Sequence, residues 1–89
     1  MRYRIFRNDT FVETKFTSAR EWLEVMQEIG TDSSLVAEDV IYVDDHYYIV
    51  KVDPIFGVKL DSAHFDEEKR KALYRQAYAA DRAAAGVSK

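Results

Sequence analysis

The first sixteen residues read as two alternating runs split by a polar pair. In MRYRIFR, Met1, Tyr3 and Ile5 point one way and Arg2 and Arg4 the other, the period-two pattern of a half-buried strand, until Phe6 interrupts it. Asn8 and Asp9 follow, both of which tolerate the left-handed backbone of a tight hairpin. TFVETKF then predicts a second strand, with Val12, Thr14 and Phe16 on one face and Phe11, Glu13 and Lys15 on the other.

The period changes after Phe16. Ser18 and Glu21 have the spacing of a capping box, in which each side chain takes an orphan N–H at a helix start. Trp22, Leu23, Met26 and Ile29 then recur at helical spacing, with Glu24, Gln27 and Glu28 turned outward. Gly30 is expected just past the helix end in a left-handed conformation, which predicts a helix over 19–29. Residues 31–40 read as a connector in which Asp32 or Ser33 caps at most one turn over Leu35 and Val36.

Two further strands follow, IYV and HYYIVKV, joined by Asp44 and Asp45. Tyr47, Ile49 and Lys51 share one face; Tyr48, Val50 and Val52 share the more apolar one. Asp53-Pro54 ends the run, because proline donates nothing to a ladder. Residues 55–60 fit either a short extra strand or a loop. Asp66 is placed to cap a final helix over about 67–85, with Glu67 and Glu68 at the positive end of its dipole and Gly86 at its end. The apolar stripe of this helix is thin: Leu73, Ala77, Ala80 and Ala84, flanked by Tyr74 and Tyr78. Such a helix docks lightly, extends from the body, or pairs with a second copy to make a homodimer.

The order β-β-α-β-β-α indicates the α+β class: one domain over residues 1–89, an antiparallel sheet of about four strands, one helix packed on a face, and a C-terminal Ala-rich helix. Composition agrees, since 47% hydrophobic and 13% aromatic residues suit a packed core rather than a disordered chain. The absence of cysteine removes disulfides and thiolate chemistry and fits a reducing compartment. No apolar h-region opens the chain, and Val40–Val43, four residues, is the longest kind of apolar run. A cytoplasmic protein with no membrane association is expected.

Charge changes the picture more than composition does. The net −3 divides into +2 over residues 1–23, −10 over 24–68 and +5 over 69–89. Such asymmetry bears on partners rather than on fold.

Little in the chain resembles catalytic equipment. Asp44, Asp45 and His46 are adjacent, and successive side chains on a strand diverge, so the trio reads as a hairpin turn. A site joining His46 and His64 to Asp61 or Asp66 lacks any recognised ligand spacing, so no metal or other cofactor is expected. No serine sits in a nucleophile elbow, and the three glycines are isolated, which argues against a phosphate loop. An enzyme is not expected.

Two surfaces remain as candidates for partner binding. One is acidic: Glu24, Glu28, Asp32, Glu38, Asp39, Asp44, Asp45 and Asp53. The other is aromatic and basic: Tyr47, Tyr74 and Tyr78 with Arg70 and Arg75, types favoured as interface anchors. The expectation is a non-enzymatic module that inhibits or regulates a larger, nucleic-acid-handling protein. Its carboxylates would occupy a groove built for phosphates, in the manner of phage-encoded anti-restriction or anti-CRISPR decoys. Direct nucleic-acid binding through Arg2, Arg4, Lys69, Arg70, Lys71 and Arg75 is the alternative. It is disfavoured by a pI near 5.3.

Overall fold

A computed structural model describes residues 1–55 and 57–87, with side chains as far as residue 83. The elements are β1 (Arg2–Arg7), β2 (Thr10–Phe16), α1 (Trp22–Gly30), β3 (Val40–Val43), β4 (His46–Asp53), β5 (Gly57–Ala63) and α2 (Glu67–Val87). One antiparallel sheet has the order β2-β1-β3-β4-β5, so the α+β class holds with five strands rather than four. The additional strand grows from the segment 55–60 and continues to Ala63, after Gly57 turns the chain at φ +83°.

Both predicted tight turns form. Asn8 and Asp9 (φ 53° and 61°) and Asp44 and Asp45 (φ 50° and 61°) all adopt left-handed angles, which gives each two-residue loop the twist its strands need.

Strand alternation divides the core in two. Tyr3, Ile5, Ile41, Val43 and Val50 face α1 and pack on its Val25 and Ile29. Phe6, Val40, Tyr42, Tyr47 and Ile49 face α2 and pack on Leu73 and Ala77. The helices therefore cover opposite faces of the sheet. The C-terminal helix places the first half of its thin stripe on this chain's own sheet; the side chain of Ala84 lies outside the described residues. Its N-terminus is capped as expected, with the Lys69 amide donating to Asp66 Oδ1 at 2.8 Å, and the helix continues through Gly86 to Val87.

Phe6 departs from the polar pattern of Arg2 and Arg4 because α2 covers its face of the sheet. In the neighbouring strand the ladder slips, with Ile5 opposite Glu13 and Phe6 opposite Phe11, leaving Val12 as the extra residue of a bulge. The bulge overturns the expectation that Phe11 shares a face with Glu13 and Lys15. Phe11 turns to the α2 side, its ring edge-on to Phe6 at 5.8 Å.

The start of α1 also differs from expectation. No capping box forms; the helix begins at Trp22, and Glu21 precedes it in an extended conformation without a side-chain cap. Residues 17–19 are committed elsewhere. Met1 and Thr17 exchange main-chain hydrogen bonds at 2.7 and 2.9 Å, and the Thr17 hydroxyl accepts the Ala19 amide at 3.1 Å. The buried stripe is rotated from the expected one to Val25 and Ile29, and Leu23, expected inside, is 76% exposed. Trp22 stays at the margin, 5.8 Å from the Tyr48 ring. Gly30 is the last helical residue rather than a left-handed cap; Thr31 closes the helix, its hydroxyl donating to the Glu28 carbonyl at 2.8 Å.

Candidate functional site

The acidic residues of the middle segment do not act as a group. Asp39 is 1% exposed and accepts both Nε and Nη2 of Arg7 at 2.9 Å, together with the Val36 amide at 3.0 Å. Burial opposes its charge, but these donors outweigh burial and hold its carboxyl below the usual range. Asp32 is equally committed. It accepts from Lys15 Nζ at 2.9 Å, the Tyr3 hydroxyl at 3.0 Å, and the Ser34 amide and hydroxyl at 3.0 and 2.7 Å. Against the cost of its burial, this shell lowers its pKa to about 2. No helical turn forms there; Asp32 instead organises the connector. These two carboxylates hold the fold together and are not free to meet a partner, which corrects their place in the acidic surface.

The other six are spread over the molecule. Glu38 pairs with Lys51 at 3.0 Å, and Asp53 accepts the Ile55 amide at 2.7 Å. Asp44 and Asp45 form the β3–β4 turn at the end of those strands, where Asp45 accepts the Tyr42 hydroxyl at 2.8 Å. Burial and that carboxylate together push the Tyr42 phenol up to about 12. Glu24 and Glu28 remain exposed on α1 beside Leu23. Glu13, which sequence reasoning did not place among the acids, joins them on this side: after burial and Asp32, Glu13 and Glu28 are the carboxylates that raise the Tyr3 phenol. Its signal was there to find, since it shares a strand face with Lys15, the partner of Asp32.

The aromatic and basic candidates do converge. A groove of about 510 Å³ runs between the first turns of α2 and the ends of β3, β4 and β5. Tyr47, Tyr74, Arg70 and Arg75 all line it. Its floor is a chain of rings: Tyr42 to Tyr47 with centroids at 4.7 Å, then Tyr47 to Phe65 edge-on at 5.3 Å. Burial raises the Tyr47 phenol, and the Arg70 charge works against that rise. His46 and His64 line the same groove, yet among the described residues no group of three His, Asp or Glu side chains is placed to hold a metal ion.

A second groove of about 420 Å³ adjoins the first along α2 and shares Tyr42, Asp45 and Tyr74 with it. It holds Tyr78, stacked on Tyr74 with centroids at 6.1 Å, and it is rich in carboxylates: Asp44, Asp45 and Asp81. Arg4, only 14% exposed at its side chain, pairs with Asp81 at 2.5 Å, and Arg2 stands 4.0 Å from the same carboxylate. Lys69 pairs with Asp9 and Lys71 with Glu67. Of the six cations considered for nucleic acid, Arg70 and Arg75 alone form no salt bridge to a described residue.

Among the described residues no helix is long and apolar enough to cross a membrane. Comparison with protein-family models, with curated proteins and with solved structures finds no match to this chain.

Proposed function

We propose that the chain is a non-enzymatic interaction module, an inhibitor or regulator that docks on a larger, nucleic-acid-handling protein through the outer face of α1. The observation that carries this reading is the rotation of that helix, which leaves Leu23 76% exposed between Trp22 and the carboxylates of Glu24 and Glu28. An exposed apolar anchor with a charged rim is the usual composition of an interface. Glu13 extends the negative rim, so the face offers both a hydrophobic contact and the charges that a phosphate-binding groove attracts. The reading keeps the acidic decoy of the sequence but moves it from eight scattered carboxylates to three.

The test is a tagged pull-down from lysate with and without nuclease, read by mass spectrometry. One large protein should persist through nuclease treatment, and Leu23→Ala with Glu24→Lys and Glu28→Lys should release it without lowering the thermal midpoint. A partner that survives this triple substitution would overturn the reading.

A further inference from the structure

We propose that the groove between α2 and the ends of β3, β4 and β5 binds a nucleoside monophosphate, with the base against the tyrosines and the phosphate on Arg70 and Arg75. The volume of about 510 Å³ lies in the range of roughly 300–1,000 Å³ typical of small-molecule sites.

Charge within the groove selects the ligand. Its two carboxylates are already engaged, Asp45 with the Tyr42 hydroxyl at 2.8 Å and Glu67 with Lys71 at 3.1 Å. Arg70 and Arg75 are exposed and form no salt bridge to a described residue, so two planar guanidinium forks face the groove without an anion. A phosphate accepts such forks bidentately, which an isolated aromatic or an alcohol does not do. The ring floor supplies the complementary requirement, since an aromatic face stacks on any flat heterocycle and adds about 1–3 kcal/mol per base.

The adjoining groove decides between a free nucleotide and a strand. A phosphodiester chain leaving the site along α2 would meet Asp44, Asp45 and Asp81, while Arg2 and Arg4 there are held by Asp81. Successive phosphates would be repelled, whereas a single one would not reach that far. The inference is independent of the α1 interface, because Leu23, Glu24 and Glu28 line neither groove.

The experiment is a titration of the isotope-labelled full chain with adenosine monophosphate, followed by amide shifts in nuclear magnetic resonance spectra. Saturable shifts at Tyr47, Phe65, Arg70 and Arg75, with a Kd of about 1 mM or tighter, are expected. Adenosine and inorganic phosphate, each alone, should bind at least about tenfold more weakly. Arg70→Ala with Arg75→Ala should abolish saturation while leaving the dispersion of the spectrum intact. No saturable shift by about 10 mM, phosphate alone matching the nucleotide, or undiminished binding by the double variant would each overturn the proposal. So would a single-stranded octanucleotide that binds more tightly than the monophosphate.

Discussion

Replacing Asp39 with alanine would remove two of the three hydrogen bonds of the Arg7 guanidinium, leaving the one to the Ser34 carbonyl at 3.2 Å, and would strand the Val36 amide at the same stroke. The expected loss is about 3 kcal/mol in urea unfolding, while Glu24→Ala, on the exposed face of α1, should stay within about 0.5 kcal/mol of the parent. Asp32 and Asp39 also govern behaviour in acid. Both carboxyls titrate lower in the folded than in the unfolded chain, so their stabilisation is complete above about pH 4 and drains away as the pH falls toward 2. For Asp32 that amounts to about 2 kcal/mol, and Asp32→Asn should flatten the dependence of the urea midpoint on pH between about 4 and 2. At the first hairpin, Asp9→Gly would create the favoured Asn-Gly turn at a residue with φ 61° and should add about 0.5 kcal/mol of stability.

At the scale of elements, the register of α1 is open to a direct test. Ile29→Ala should cost about 3 kcal/mol, whereas Leu23→Ala should change the unfolding midpoint hardly at all. Equal costs would contradict the observed rotation. The same helix shows where sequence reasoning reaches its limit. Ser18 and Glu21 have capping-box spacing, but the reciprocal bonds of Met1 and Thr17 bind that stretch to the start of the sheet, and a contact sixteen positions apart leaves no trace in a local pattern. Turns and strands were legible because their causes are local: Asn8-Asp9, Asp44-Asp45 and Asp66 act through their own neighbours. The bulge that turns Phe11 over left no mark in the alternation of TFVETKF. Among the candidate site residues, Tyr47, Tyr74, Arg70 and Arg75 could be grouped by residue type, as interface anchors, but their meeting in one groove depends on how α2 packs on the sheet. The fate of Asp32 and Asp39 could not be read, because burial of a carboxylate depends on which distant cation arrives.

Taken whole, the molecule is a sheet with a separate hydrophobic layer on each face, so neither helix is dispensable. Removing α2 would uncover Phe6, Val40, Tyr47 and Ile49 together. A chain ending at residue 66 should lose its cooperative unfolding transition and bind a hydrophobic dye; a cooperative transition in that chain would show that α2 is an appendage. The opposed layers also separate the two proposed surfaces, with the carboxylates around Leu23 on one side of the sheet and the groove of Arg70 and Arg75 on the other. One binding event need not block the other.

The amide of Gln76 binds β2 as another strand would, its oxygen accepting the Phe11 N–H at 2.8 Å and its nitrogen donating to the Asp9 carbonyl at 2.6 Å. A single side chain of α2 thus closes over the backbone of the first hairpin. The Phe11 proton is sheltered only while that helix is seated, so its rate of exchange with deuterated water is a gauge of how often α2 lifts from the sheet, legible in the native protein without any denaturant.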